Sequence, residues 1–230
     1  MTPATLSRQL LPMYRAMHGR WGERRWWPSR AGAETPEGKL EICVGTILTQ
    51  NTNWRNVETA IANLLAAGKM TVGRLHRARP ETLAKLIRPA GYFNVKARRL
   101  QSFIARVHTG FGGDIAAFLD RPLATLRPAL LGVNGIGPET ADSICLYAAG
   151  LATFVVDAYT RRIFLRHGLI TPASADYKSI KRLCETHLPA EVALYNDYHA
   201  QLVETGKHYC KPTARCDGCP LASFPHDPRA

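Results

Sequence analysis

The chain has 230 residues, of which 46% are hydrophobic and 21% are charged. This length and composition argue against a disordered protein and predict a packed core, in one large domain or two small ones. Lys and Arg outnumber Asp and Glu by 30 to 18, a formal charge of +12 that favours a polyanionic partner, nucleic acid before an anionic membrane. No apolar run is long enough to span a bilayer, and the amino-terminal MTPATLSRQLLPMYRAM does not resemble a signal peptide. We therefore expect an intracellular protein whose six cysteines do not form a disulfide framework.

The periodic segments of the sequence predict helices. Three of them, VETAIANLLAAG, KARRLQSFIARV and EVALYNDYHAQLVETGKHYC, place apolar residues at helical spacing, and the first ends at Gly68, a residue type common just after a helix. The three apolar stripes comprise Val57, Ile61, Leu64 and Leu65, then Leu100, Phe103, Ile104 and Val107, and finally Val192, Tyr195, Tyr198, Leu202 and Val203. The segments EICVGTILTQ and ATFVVDAY could be strands by periodicity alone, but no alternating hairpin pattern occurs. We therefore predict an all-α fold.

The segment VNGIGPETADSICLY contains a Gly-x-Gly turn, formed by Gly135, Ile136 and Gly137, between two predicted helices. Such a turn presents backbone N–H groups near the positive end of a helix dipole, where a phosphate oxygen can bind. Glycine permits both a positive φ and a close approach of the phosphate. A tight connection without a ligand is the alternative. A dinucleotide site is disfavoured because the turn does not follow a strand.

Asp157 follows the apolar run FVV and precedes another predicted helix. Its simplest role is to cap that helix by accepting backbone N–H bonds. Because such bonds favour the charged carboxylate, the same side chain could stabilise a sugar cation as a glycosidic bond breaks. It could also orient or deprotonate an attacking water.

The sequence LLGVNGIGPETADSICLYA followed by FVVDAYTRR resembles the helix–hairpin–helix Gly/Pro…Asp (HhH-GPD) superfamily of DNA glycosylases, in particular its endonuclease III branch. The likeness continues in ILTQNTNW, in GYFNVKARRL and in the cysteine-containing tail. It implies two helical domains with a DNA cleft between them, a six-helix module at residues 36–147 and a domain formed by residues 1–35 and 148–230. It also implies that the target nucleotide is flipped out of the duplex.

Bifunctional members of this family carry a lysine two residues after the second glycine of the turn, where this sequence has Glu139. A carboxylate cannot form a Schiff base with the sugar. The resemblance therefore implies a monofunctional glycosylase in which water attacks the sugar with help from Asp157. Lys96 and Lys207 are the lysines that we considered as substitutes for the missing amine.

The segment GERRWWPSR contains Trp26, Trp27 and Pro28, which could equally be a core plug or a stacking surface for a base. Together with ILTQNT and GIGxExAD, this WWP sequence resembles the 3-methyladenine DNA glycosylase subgroup, which stacks a damaged base on such aromatic side chains. Alkylated purines are cationic or electron-poor, so stacking on an indole gains a cation–π contribution. Their labile glycosidic bonds also need less catalytic assistance.

The resemblance also assigns DNA contacts outside the turn. Gln50 corresponds to a glutamine that enters the gap left by the flipped base, and Tyr92 to a wedge in the opposite strand. Lys96 and Thr140 complete the predicted DNA-binding set, and each of these side chains could instead be an ordinary cleft or core residue.

The tail contains Cys210, Cys216 and Cys219 and resembles the iron–sulfur loop of the family. That loop has four cysteines and one more residue in its first gap, whereas here the fourth position is Pro225. A [4Fe–4S] cluster needs four ligands, so the fourth would have to be His226, Asp227 or one of the more distant Cys184 and His208, and His226 is the candidate that we name. We expect such a cluster first, a Cys₃His zinc site second and a metal-free loop third. Cys43 and Cys145 lie in apolar helical segments and are expected in the core.

We therefore predict a monomeric enzyme that excises damaged bases, chiefly alkylated purines, from double-stranded DNA and that does not act at membranes. Two alternatives stay open. One is an endonuclease III-type glycosylase that acts on oxidised pyrimidines with weak lyase activity. The other is a DNA module that binds lesions without catalysis.

Overall fold

The computed structural model describes residues 8–24 and 27–229. No strand occurs in these two ranges and helices supply the regular structure, which confirms the all-α prediction. The described chain separates into two compact units. The hairpin unit is Trp27–Leu151, and the terminal unit joins residues 8–24 to residues 152–229. The boundaries implied by the family resemblance are residues 36 and 147, whereas residues 27–35 and 148–151 group with the hairpin unit in the structure.

The helices are named here in chain order. The α-helices are α1 (Leu10–Trp21), α2 (Pro36–Leu48), α3 (Trp54–Ala66), α4 (Val72–Arg77), α5 (Pro80–Leu86), α6 (Phe93–Phe111), α7 (Ile115–Leu119), α8 (Leu123–Leu131), α9 (Pro138–Ser143), α10 (Ala158–Arg166), α11 (Tyr177–His187) and α12 (Val192–His208). A π-helix (Ile144–Ala148) continues α9, and short 3₁₀ turns lie at Arg88–Ala90 and Pro172–Ser174. None of the helices described is long and apolar enough to cross a membrane.

Helix α2 is the centre of the hairpin unit, where it packs against α3, α6, α7, α9 and the π-helix. Every residue from Leu40 to Leu48 is buried. The segment EICVGTILTQ, which could be a strand by periodicity alone, therefore lies mostly in a helix that is covered on all sides over these residues. Its start is fixed by Thr35, whose hydroxyl accepts the N–H of Gly38, and by Pro36 in the first turn, both favoured helix-start features.

The predicted apolar stripes lie mainly in the core. In α6 the four predicted residues are all buried, and in α3 Val57, Ile61 and Leu64 are buried whereas Leu65 is exposed. Leu65 is therefore a surface residue and not a core residue as predicted. Gly68 follows α3 with a φ of 62°, a left-handed conformation that glycine adopts at little cost.

Helix α12 is the centre of the terminal unit and packs against α1 and α10. A buried carboxylate, Asp197, joins it to the amino-terminal segment. Asp197 accepts hydrogen bonds from the Tyr14 hydroxyl at 2.8 Å and from the Arg24 backbone N–H at 2.7 Å, and its Oδ2 lies 2.9 Å from Nδ1 of His18. This network holds the two ends of the chain in one unit.

Candidate functional site

The Gly-x-Gly turn connects α8 to α9 inside the hairpin unit. Gly135 has a φ of 85°, in the left-handed region, whereas Gly137 has an ordinary φ of −91°. The Ile136 N–H donates to Val133 O at 3.1 Å and its side chain is buried. Gly137 is exposed, and its N–H makes no hydrogen bond to the described residues. Among the predicted contacts of the turn, the amide of Gly137 is therefore available to an anion, while that of Ile136 is used within the turn.

Gly135 is needed for a reason that the sequence did not reveal. A Cβ at this position would lie 2.2 Å from Cγ and 2.6 Å from Cδ of Arg99, far inside van der Waals contact. No atom lies within 4 Å of a Cβ at Gly137. The first glycine thus accommodates a neighbouring side chain, and the second leaves open space beside the turn.

Gln50 contacts the turn directly. Its Nε2 donates to Gly135 O at 3.1 Å and to Thr140 Oγ1 at 2.9 Å, and its Oε1 accepts a short hydrogen bond from Arg99 Nη1. Thr140 is buried, and its hydroxyl accepts from Gln50. The Thr140 side chain therefore has a contact inside the protein, and its contact with DNA stays a prediction.

The two helices of the hairpin are joined by an ion pair. Arg127 on α8 donates from Nε to Asp142 Oδ1 at 2.8 Å and from Nη2 to Oδ2 at 3.0 Å. The Asp142 side chain on α9 has no exposed surface, while that of Arg127 is partly exposed. A bidentate pair of this kind fixes both the distance and the orientation of its partners.

Asp157, in the terminal unit, is the N-cap of α10, as predicted. Its Oδ1 accepts the Thr160 N–H at 2.7 Å and the Thr160 hydroxyl at 2.8 Å. Its Oδ2 lies 3.7 Å from Nε2 of His199 on α12, which is within ion-pair range but longer than a hydrogen bond. The carboxylate is mostly buried, with Oδ1 hydrogen-bonded to Thr160 and Oδ2 facing His199.

The surroundings of Asp157 favour its charged form. Burial raises the pKa of this carboxyl, but the interaction with His199 and the two bonds from Thr160 outweigh burial, and the pKa lies below its ordinary value. Asp157 is therefore an anion at neutral pH.

Glu139 lies exposed in the first turn of α9. Lys96, by contrast, is only 1% exposed, and its ammonium donates to Leu48 O at 2.9 Å and to Ala90 O at 2.7 Å. Burial and the charge of Arg99 lower the pKa of Lys96 to about 8. The amine of Lys96 thus satisfies carbonyls at the ends of two helical segments, and its roles as a DNA contact or as a replacement for the missing amine stay predictions. Lys207 is exposed on α12.

Tyr92 is 72% exposed and has a φ of 44°. A bulky residue in the left-handed conformation is rare and marks a local constraint. Asn51, the residue after Gln50, also has a positive φ, 54°. Among the described residues other than glycine, these are the two with positive φ, and each lies at a loop from which we predicted a DNA-probing side chain.

Trp27 belongs to a cluster of three aromatic rings. It makes an edge-to-face contact with Trp54 at 5.0 Å between centroids and a tilted contact with Tyr147 of the π-helix at 5.4 Å. Gly45 of α2 leaves room for the indole, since a Cβ there would lie 3.3 Å from Trp27 Nε1. Pro28 is exposed, and Trp26 lies outside the described residues. Trp27 is half-buried, so it is both packed against the core and partly accessible.

The predicted metal ligands line one pocket of the terminal unit. The four side chains are Cys210, Cys216, Cys219 and His226. Burial raises the pKa of the Cys219 thiol, and the nearby Cys210 and Cys216 act in the same direction. The donor types fit a cluster or a zinc ion, but no three His, Cys, Asp or Glu side chains in the described ranges come close enough together to hold a metal. Cys43 and Cys145 are buried, as expected.

Side chains of α10 hold the backbone of this cysteine loop. Arg162 Nε donates to Cys210 O at 2.6 Å, and Arg166 donates to Lys211 O at 2.6 Å and to Pro212 O at 2.7 Å. Arg166 also donates to Cys210 Sγ at 3.3 Å. The loop is therefore tied to the same helix that Asp157 caps.

The structure brings the predicted residues together in two groups. Gln50, Thr140 and the Gly-x-Gly turn are in contact in the hairpin unit, and Asp157 lies with the cysteine loop in the terminal unit. Sequence reasoning missed three side chains, namely Arg99, His199 and Trp54. Trp54 is the last residue of the quoted ILTQNTNW motif, but nothing in the spacing of Arg99 or His199 indicates the distant residues that they contact.

Comparisons with known proteins agree with this architecture. The model of the HhH-GPD superfamily base excision DNA repair proteins matches residues 44–190. The chain is 41% identical over 213 residues to a protein of Methanocaldococcus jannaschii that is provisionally named a DNA repair glycosylase, covering 92% of this chain and 93% of that one. It is similar to an endonuclease III in a non-covalent DNA complex (TM-score 0.77, 19% identity, 100% and 97% of the two chains). It is also similar to the H. pylori 3-methyladenine DNA glycosylase bound to 1,N6-ethenoadenine (TM-score 0.68, 24% identity, 90% and 98%). At these identities the two structures bear on the fold alone.

Proposed function

The chain belongs to the HhH-GPD superfamily of base excision DNA repair proteins and is a DNA N-glycosylase, and we propose that it is a monofunctional enzyme that hydrolyses the glycosidic bond of alkylated purines. The observation that carries the proposal is the combination of Asp157, held as an anion, with a hairpin that has Glu139 in place of the lysine of bifunctional members. We propose double-stranded DNA as the substrate, bound by a monomer inside the cell.

In the proposed reaction the bond between C1′ of the sugar and the base nitrogen breaks, and the base leaves with the bonding electron pair. The sugar acquires cationic character, which the Asp157 carboxylate stabilises. A water oxygen then bonds to C1′ and loses a proton to solvent, leaving an abasic site. Because the pKa of Asp157 is lowered, this carboxylate is a weak base, and its main contribution is its negative charge.

The hairpin supplies binding. The exposed Gly137 amide is proposed to hold a backbone phosphate, a contact that positions DNA without reading its sequence. Tyr92 is proposed as the wedge, since its exposed ring and constrained backbone suit a side chain that replaces lost base stacking.

The aromatic cluster supports the choice of substrate. Trp27 is a half-buried indole whose neighbours Trp54 and Tyr147 fix its orientation, so we propose that it stacks on the extruded base. Cationic alkylated purines gain most from such a surface. The H. pylori relative binds 1,N6-ethenoadenine, a modified purine.

Replacing Asp157 by Asn tests the catalytic part of the proposal. Asn is as good an N-cap as Asp, so the variant keeps the cap of α10 and loses only the charge. We expect base release from alkylated DNA to fall by at least about a hundredfold, while binding to the same DNA is unchanged. Wild-type protein that binds DNA but releases no base from any lesion would instead indicate a binding module.

Substrate class is tested by identifying the bases freed from alkylated DNA and, in parallel, from a thymine-glycol duplex. Release of methylated purines but not of thymine glycol is expected. The opposite result would favour the endonuclease III-type alternative.

Glu139→Lys tests the monofunctional assignment. Wild-type protein should give no borohydride-trapped adduct with DNA, because no amine reaches the sugar, whereas the variant should give one. Glu139→Gln is the matched control, since it removes the same charge without supplying an amine. Efficient trapping by wild-type protein would contradict the assignment.

For the cysteine loop we propose a [4Fe–4S] cluster held by the three cysteines, with His226 as the fourth ligand. We propose a structural role for it, in shaping a loop whose Lys211 and Arg215 carry positive charge suited to DNA phosphates. Iron content and thiolate-to-iron absorbance in the purified protein test this, and zinc in place of iron, or neither metal, would overturn it. His226→Ala should lower the iron content, whereas His187→Ala, a change on α11, should not.

A further inference from the structure

We propose that His199 is a positioning residue for Asp157, which holds the carboxylate in place for base release. The inference rests on the proposed function, because it takes Asp157 as the charge that stabilises the sugar. His199 lies on α12, in a segment that we predicted as a helix with an apolar stripe. The contacts of its imidazole indicate a further role in the site.

The imidazole of His199 faces the carboxylate oxygen that Thr160 does not bind. Both bonds from Thr160 end on Oδ1 of Asp157, whereas Nε2 of His199 lies 3.7 Å from Oδ2. The side chains of His199 and Asp157 are 8% and 12% exposed, so solvent screens their interaction far less than it would at the surface. The two oxygens of the carboxylate are therefore approached by different elements, one by its own helix and the other by α12.

The packing of α10 on α12 fixes this contact. Gly206 lies seven residues after His199, which places the two residues on the same side of α12. Tyr159, two residues after Asp157, packs against Gly206 so closely that a Cβ there would lie 2.3 Å from its Cδ1. Because any larger residue at position 206 would push α10 away, the close approach at Gly206 sets the register in which His199 meets Asp157.

Other titratable groups on the helices around α12 make contacts elsewhere. Arg162 and Arg166 of α10 donate to backbone carbonyls of the cysteine loop. Tyr14 and His18 of α1 contact Asp197. These contacts belong to the cysteine loop and to the Asp197 network rather than to the start of α10, where the contact from α12 comes from the imidazole.

The contact with His199 has two consequences for Asp157. Burial raises the pKa of this carboxyl, whereas His199 and Thr160 lower it, so the histidine offsets part of the cost of burying the anion. A carboxylate bound through one oxygen can also still rotate about its Cβ–Cγ bond, and a partner at Oδ2 restricts that rotation. Catalysis by charge depends on an anion that is already oriented when the substrate binds, so loss of His199 should weaken Asp157 as a stabilising group.

Two substitutions of His199 separate this role from simple packing. His199→Leu removes the ring nitrogens but keeps an apolar side chain, whereas His199→Gln keeps an N–H donor. His187→Leu is the matched control, because His187 is an exposed histidine at the end of α11 in the same unit. In each folded variant the Asp157 carboxyl is titrated by NMR with ¹³C-labelled aspartate, and the spectrum of Asp157→Asn identifies its signal. Base release from alkylated DNA is followed in single turnovers as a function of pH, with enzyme-free DNA as the blank, and DNA affinity is measured at one salt concentration.

In His199→Leu we expect the pKa of Asp157 to rise and base release at neutral pH to fall on the order of tenfold. The acid limb of its pH profile should move to higher pH together with the carboxyl titration. His199→Gln should retain most of the base release, His187→Leu should match wild-type protein, and DNA affinity should be the same in all of them.

A histidine that only fills space would leave the carboxyl titration where it is in wild-type protein. That result, or equal losses of base release in the Leu and Gln variants, overturns the inference. Wild-type protein that releases no base refutes the proposed function instead, and the carboxyl titration then still decides whether His199 acts on Asp157.

Discussion

Removal of Arg127 should destabilise the helix–hairpin–helix strongly, because it takes the guanidinium from a carboxylate with no exposed surface. Asp142 receives two hydrogen bonds from Arg127, at 2.8 and 3.0 Å. Breaking one partner of a buried pair costs about 3–5 kcal/mol. Since the Arg127 side chain is 28% exposed, we expect the lower end, about 3 kcal/mol for Arg127→Met.

The measurement is the free energy of unfolding in urea, followed by circular dichroism and by tryptophan fluorescence. Both probes are needed because the chain has two units, and non-coincident transitions would show that one unfolds first. Arg55→Met is the matched control, an exposed arginine of the same unit whose loss should change stability by less than about 0.5 kcal/mol.

Combining Arg127→Met with Asp142→Leu should recover much of the lost stability, because the double variant no longer buries a charge without its partner. A loss below about 1 kcal/mol for Arg127→Met, or a double variant that is less stable than the sum of both single changes, would refute the argument that this pair is a buried brace.

Three further results are expected. Gly135→Ala should destabilise the hairpin unit and weaken DNA binding, because the added Cβ meets Arg99 and the residue has a positive φ. Gly137→Ala should weaken DNA binding without loss of stability, since its Cβ meets only open space. Urea unfolding measures the stability of each variant, and affinity for an undamaged duplex measures its DNA binding. The lowered pKa of Lys96, about 8 against an ordinary 10.5, means that between these pH values the unfolded chain binds a proton that the folded chain has released. The free energy of unfolding should therefore rise with pH across this window, by at most about 3 kcal/mol, and this contribution should be flat below pH 8. In parallel denaturation series the rise should be absent from Lys96→Met. An identical dependence on pH in both proteins would contradict this prediction. Asp197→Ala should cost about 2–4 kcal/mol of stability in the terminal unit, because it leaves the Tyr14 hydroxyl and the Arg24 N–H without their acceptor; a thermal midpoint equal to that of wild-type protein would refute this.

The helical fold could be predicted from the sequence because some helices, α3 and α6 among them, have apolar residues at helical spacing. Helix α2 shows where such reasoning stops. Helix α2 is covered on all sides, so it has no polar face and its periodicity does not distinguish helix from strand. The residues that favour a helix here are Thr35 and Pro36, which are preferred at helix starts.

The role of a site residue could be predicted from the sequence where its hydrogen-bonding partners are close to it along the chain. Asp157 caps α10 through Thr160, three residues later, and this spacing is visible in the chain. Lys96 shows the opposite case, because the carbonyls that its ammonium satisfies belong to Leu48 and Ala90, at helix ends that the fold brings beside it. Local sequence shows that a lysine is on a helix but not which backbone groups lack partners.

The surroundings of Lys96 and Asp157 favour opposite protonation states, and this difference supports the proposed carboxylate-based mechanism. A lysine that attacks a sugar must lose its proton near neutral pH, and the protein must lower its pKa by burial or by nearby charge. This chain makes such an environment at Lys96, but both contacts there are with backbone carbonyls, and the amine is not exposed. Asp157 has the opposite requirement, since the charged form is the useful one and the bonds from Thr160 together with the nearby His199 already favour it. The ordering of that carboxylate is complete in the folded protein before any DNA arrives, so none of the binding free energy is needed to create it.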